Sequence, residues 1–240
     1  MMSTKNNAQA QEIHEEEPTY FESYYEDHKL YEEGSTLDEP MTIILDLADQ
    51  VNIGQPMSIL DLGCGVGRNS IPLAEKVLAG DGRVVCVDAQ EKAINKLVHY
   101  SEQYQVKSVI YTEQSDISQY KIAEAKYDYI VAVSSLEHCK SKYLLKKVLD
   151  SMVNGTKGGG INCIVMNTNI EEFEAADGKQ RNTLSEVNMG KDKVLKLLRQ
   201  HYEGWEEIHV SDEPLELDIS RENKAVTLKA DSLTFAVRKP

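Results

Sequence analysis

No apolar run in this 240-residue chain reaches the roughly 20 residues that a membrane-spanning helix needs. The N-terminus lacks the basic stretch and apolar core of a secretory signal. Four cysteines, Cys64, Cys86, Cys139 and Cys163, show no CxxC or other metal-binding spacing, and no metal is expected. Three of them sit in or beside apolar, strand-like runs, which points to small buried thiols in a reducing compartment. Positive charge is scarce: 26 Lys and Arg stand against 40 Asp and Glu, a formal net charge of −14. Such a surface opposes a phosphate backbone, whose binding needs several cationic contacts. No internal repeat and no linker between folded halves is visible. The expectation is a cytoplasmic globular protein with neither a membrane nor a nucleic-acid partner.

With 41% hydrophobic and 28% charged residues, the chain has the composition of one domain with a substantial core. Residues 1–17 are polar, acidic and aperiodic, and read as a flexible tail. Residues 18–240 read as a single domain. Within it, 18–55 supply N-terminal helices, the first (20–31) rich in tyrosine and the second over 40–51. Tyr20, Tyr24, His28 and Tyr31 share one helical face, and Phe21 and Tyr25 another. That face either packs on the domain or forms part of a lid.

The chain is organised around 57–70, MSILDLGCGVGRNS. Met57, Ile59, Leu60 and Leu62 make a buried parallel strand. Gly63, Gly65 and Gly67 follow as a turn, and Asn69, a favoured N-cap, opens a helix with Pro72 in its first turn and Gly80 at its end. A dinucleotide fold wants G-x-G-x-x-G, but Arg68 occupies the place of its third glycine. D-x-G-x-G-x-G, starting at Asp61, resembles the first motif of the class I S-adenosylmethionine-dependent methyltransferases.

Further elements follow in order. Residues 83–88 form a buried strand ending in Asp88, where doubly wound sheets place the acid that holds ribose hydroxyls. Residues 108–111 make a third strand, with Asp116 and Ile117 shortly after. The fourth carries Tyr127-Asp128 and ends in Leu136-Glu137-His138, which resembles the family's fourth-strand signature. After helix four comes a fifth strand over 161–167. The stretch 168–189 is acidic and poorly periodic, a candidate wall of the acceptor site. A helix over 192–202, then strands over 206–210 and 233–238, complete the pattern. The resemblance implies a doubly wound, mostly parallel seven-stranded sheet with an antiparallel last strand.

GCGVGRNS, the Tyr-Asp strand and Tyr202-Glu203-Gly204-Trp205 look most like the tellurite-resistance type of methyltransferase. One departure stands out: that subgroup has a His-Arg pair between its last two strands, and here only Arg221 is present. The resemblance implies S-adenosylmethionine as cofactor and S-adenosylhomocysteine as product, with in-line transfer to a small-molecule acceptor. It assigns cofactor binding to Asp61, Gly63, Cys64, Gly65, Asn69, Asp88, Ala89, Asp116, Ile117, Val133 and Ser134. Tyr24, Tyr25, Tyr31 and His138 are candidates for the acceptor side, and no residue is singled out as catalytic, because an activated methyl group does not oblige the protein to supply a base. Two other readings stay open: a non-catalytic module that binds the same cofactor, and a nicotinamide-dependent oxidoreductase.

Overall fold

The computed structural model describes residues 24–26, 28–51, 56–183, 185–221 and 224–240. The expected 1–17 tail, Tyr20 and Phe21 lie outside them. The elements are α1 (Thr42–Ala48), β1 (Ser58–Leu62), α2 (Ser70–Leu78), β2 (Arg83–Asp88), α3 (Glu91–Gln103), β3 (Ile110–Gln114) and β4 (Tyr127–Val133). After a 3₁₀ turn, Leu136–His138, come α4 (Lys142–Gly155), β5 (Thr156–Glu174), β6 (Gln180–Arg181), α5 (Lys191–His201), β7 (Glu206–Arg221) and β8 (Lys224–Arg238).

The strands form one sheet in the order β3-β2-β1-β4-β5-β8-β7. β1 pairs in parallel with β2 and β4, whereas β8 runs antiparallel between β5 and β7. This is the expected architecture, with the two-residue strand β6 added on β5. All five residues of β1 are buried because both sheet faces are covered. Side chains alternate across the sheet. Ile59 joins a cluster with Ile44, Leu47, Leu73 and Leu97 from α1, α2 and α3. Leu60 points the other way, to Leu149 of α4, Leu198 of α5 and Phe235.

Two of the sequence motifs hold the frame rather than the cleft. The Asp128 carboxylate accepts the Ser58 N–H (2.8 Å) and pairs with Lys157 (2.7 Å), which ties the starts of three strands. Tyr202 is buried against Trp205 and Phe235, and its hydroxyl accepts from Asn162 Nδ2 at 3.0 Å. All four cysteines are buried, and none forms a disulfide. No helix among the described residues is long and apolar enough to cross a membrane.

The structure departs from the sequence reading in several places. Of the expected first helix, Tyr24–Glu26 are helical among the described residues, whereas residues 28–31 are not. His28 still donates to the Tyr24 carbonyl (3.2 Å), but Tyr31 adopts a left-handed φ of 60°, which no helix continues through. Asn69 is the N-cap of α2, but its side chain makes no cap bond and accepts the Met41 N–H at 3.0 Å instead. The left-handed residue after α2 is Asp81, not Gly80. β3 lies a few residues later than expected. Residues 168–174 are strand, not loop, and the last two strands run far beyond 206–210 and 233–238 to form a long hairpin.

Candidate functional site

A cleft of about 450 Å³ opens at the carboxyl ends of β1, β2, β3 and β4, where doubly wound sheets bind ligands. Gly63 contributes from β1, and Asp88, Ala89 and Gln90 from the end of β2. Gln114, Ser115, Asp116 and Ile117 form the next wall, Ser134, Ser135 and His138 the opposite one, with Lys140 at the rim. Tyr25 reaches in from the N-terminal segment.

The glycine turn is built for close approach. Gly63 has φ 78°, and a Cβ there would lie 2.3 Å from Ser135 Cβ, so any side chain would drive β1's turn off β4's. A Cβ on Gly65 would come within 2.8 Å of the Tyr25 hydroxyl. Asp88 holds this turn closed. Its Oδ2 accepts the Gly65 N–H at 2.8 Å and its Oδ1 the Gln90 N–H at 2.9 Å. Burial pushes its pKa up, against the pull of these backbone N–H groups. The Ala89 N–H also acts on this carboxylate, and its four lone-pair sites still leave room for a ligand hydroxyl.

Asp116 accepts from both the N–H (2.8 Å) and the hydroxyl (2.7 Å) of Ser118, and Lys140 stands 3.5 Å away. Burial raises its pKa, but the Ser118 bonds and Lys140 outweigh that, so the net shift is downward. Beside it the Ile117 N–H donates to no acceptor among the described residues, which leaves an acceptor and a donor side by side on one cleft wall. That pairing suits the edge of a purine carrying an amino group beside a ring nitrogen.

The other sequence-nominated residues serve the cleft from outside. Asp61 is buried, accepts from Ser70 Oγ at 2.6 Å, and has its pKa raised to about 6, chiefly by burial. Cys64 is buried behind the turn, and burial holds its thiol well above the ordinary range, so it is no thiolate. Gly65 meets the cleft wall through its N–H bond to Asp88. Asn69 and Val133 are not in the lining, nor are Tyr24 and Tyr31. Tyr24 hydrogen-bonds Thr36, and Tyr31 donates to the Arg68 carbonyl at 3.1 Å. Arg221 is far along β7, buried with Glu172 and donating to the Asn182 carbonyl at 2.8 Å.

Sequence reasoning missed Gln90, Gln114, Ser115, Ser135 and Lys140. Their only signal was position, at a strand end or in the loop that follows one. Arg68, which argued against a dinucleotide site, donates to the Thr36 carbonyl at 2.7 Å and so anchors the N-terminal segment. Lys96 binds the Tyr25 carbonyl, and Leu30 is buried in the same core as α1, α2 and α3. The described part of the expected lid is thus a strap tied down at several points, with Tyr25 alone entering the cleft.

Residues 22–229 match the family described as tellurite resistance protein TehB. The chain belongs to the TehB family. The crystal structure of TehB from Haemophilus influenzae superposes with a TM-score of 0.63 at 25% identity, covering 87% of this chain and 64% of that one. Among curated proteins, sterol 24-C-methyltransferase of Aspergillus fumigatus is 28% identical over 115 residues, 48% of this chain. The chain spans 29% of that relative's length. The cyclase SpnF shares the fold as well, with a TM-score of 0.58 and 12% identity over 82% of this chain and 80% of its own. The fold is therefore that of the class I methyltransferases, and it carries more than one chemistry.

Proposed function

We propose that the chain binds S-adenosylmethionine in the cleft and transfers its methyl group, in line, to a small-molecule acceptor. The observation that carries this reading is the convergence of Gly63, Asp88, the Asp116–Ile117 donor–acceptor pair and Ser134 on one cleft in a TehB-family chain. The residues present fit the cofactor. Gly63 leaves the backbone bare, Asp88 retains lone pairs for ribose hydroxyls, and Asp116 with the Ile117 N–H complements an adenine edge. When bound, the cofactor supplies an activated methyl group that needs little further chemistry from the protein.

The chain's own residues then bind, orient and exclude water. Asp88 holds the turn and the ribose in register. Tyr25, carried on the strap, roofs Gly65 and keeps solvent off the glycine turn. Ser134, Ser135 and His138 form the wall nearest the acceptor side, next to the segment 185–189. A cleft carrying Asp88 and Asp116 favours a cationic ligand over an anionic one, and a net charge of −14 opposes nucleic acid. Acceptors with a soft or readily ionised nucleophile fit best, since they need no general base.

The test has two arms. Calorimetry with S-adenosylhomocysteine should show binding, and Asp88→Ala should weaken it by roughly 1–3 kcal/mol, the scale of a lost buried hydrogen-bond partner. Tight NAD binding without S-adenosylhomocysteine binding overturns the cofactor. A transfer assay with labelled cofactor should then be run against thiols, selenite, tellurite, small amines and bulk RNA. Turnover on RNA alone overturns the small-molecule acceptor. Binding with no turnover on any acceptor favours the non-catalytic reading.

A further inference from the structure

Glu137 sits in the 3₁₀ turn between two cleft residues, Ser135 and His138, yet is itself fully buried. It links three parts of the acceptor side. Its Oε1 accepts the Asn167 N–H of β5 at 3.1 Å. Its backbone carbonyl accepts both the Val187 N–H and the Ser185 hydroxyl at 3.0 Å. Val187 is buried in the core shared with α4 and α5, so the 185–189 segment is fixed to the fold through this turn. Asn167 reaches in turn toward Ser134 Oγ at 3.4 Å, on the cleft wall.

The remaining oxygen, Glu137 Oε2, is buried and meets no partner among the described residues, and the same holds for Asn167 Oδ1. Two acceptors on residues already in contact, both without a donor, make a costly arrangement for an ionised carboxylate. Protonation turns one of them into a donor. We infer that Glu137 is a positioning residue which, as a neutral acid, locks the Ser135–His138 turn to β5 and to the 185–189 segment and so sets the acceptor side of the cleft. Burial displaces its pKa upward and outweighs the opposing pull of His138, of its own N–H and of the Asn167 backbone and side-chain amides, in agreement with the neutral form. The inference rests on the methyl-transfer reading only for the word acceptor; the lock itself is a property of the fold.

The full chain is compared with Glu137→Gln and Glu137→Ala. Infrared spectra at neutral pH should show a protonated carboxylic acid stretch that Glu137→Gln removes. Hydrogen-exchange protection of the Asn167 and Val187 amides should stay within about threefold in Glu137→Gln and fall by about tenfold or more in Glu137→Ala. S-adenosylhomocysteine affinity should change by less than about threefold in both, because Asp88 and the glycine turn are untouched. An absent acid band overturns the inference, as does a Gln variant as unprotected as the Ala variant, because an ionised carboxylate accepting two donors is not replaced by an amide. Loss of cofactor affinity in step with amide protection overturns it too, by showing a general structural defect. If the wild type binds no S-adenosylhomocysteine at all, methyl transfer fails alone, and the infrared and amide results still decide the role of Glu137.

Discussion

The two halves of the sheet differ in strand direction and, more sharply, in mode of burial. In β1 every residue is covered, and both flanking strands are parallel and apolar. In β7, sixteen residues long, Arg221 alone is buried. The first half is a core that holds its loops in fixed positions, and the second tapers into an arm held mostly by its own ladder with β8. Cooperativity should follow burial: damage to the parallel half spreads through the domain, and damage to the arm stays local.

The sharpest way to break this contrast is a side chain at Gly63. Gly63→Val combines a left-handed φ with a collision against Ser135, and should cost about 3 kcal/mol or more in global stability. Denaturant unfolding measures it, and a well-folded variant that still binds S-adenosylhomocysteine would contradict the geometry. In the arm, Arg221→Ala strips the buried Glu172 of its Arg221 partner, a penalty of about 3 kcal/mol by the scale of broken buried pairs. Here the expected outcome is faster amide exchange in 171–174 and 224–228, with cofactor affinity unchanged. Coupled loss of both would show that the arm is not independent.

A smaller effect concerns protons. Asp61, in the parallel core, has a folded pKa of about 6 against an ordinary 3.8. The folded chain therefore holds this proton more tightly than the unfolded one. Its contribution to stability is complete below about pH 4 and is lost as pH rises to about 6, on the order of 2–3 kcal/mol. Asp61→Asn should remove that part of the pH dependence, so its stability relative to wild type should rise between pH 4 and 6. A difference that is flat across this window would mean that Asp61 is ionised throughout. Arg221→Ala should leave the same window unchanged, which separates the two regions again.

The same contrast explains what was legible in the sequence. The runs at 57–62, 83–88 and 127–133 are apolar because both faces are buried, so strand, turn and helix could be placed from residue type alone. Asp88 followed from its place at a strand end, and Asp116 from the family resemblance. The arm was misread because Leu215, Leu217 and Ile219 alternate with Glu, Asp and Ser, a one-faced pattern diluted by acids into the look of a loop. Asn69 and Asp61 were assigned to the cofactor by the family resemblance, and their side chains also accept from the Met41 N–H and the Ser70 hydroxyl, distant partners that no local pattern reveals. Glu137 lay in a motif already noted, but only tertiary burial distinguishes it from the histidine beside it.

The bond from Gly65 N–H to Asp88 has a consequence for how this chain could be altered, by evolution or by design. The carboxylate proposed to hold the cofactor's ribose is the same group that closes the glycine loop. Exchanging it to favour another nucleotide would open the loop in the same step. A change of ligand preference at this position therefore needs a second substitution that offers Gly65 a new acceptor, and single-step variants should lose the old ligand without gaining another.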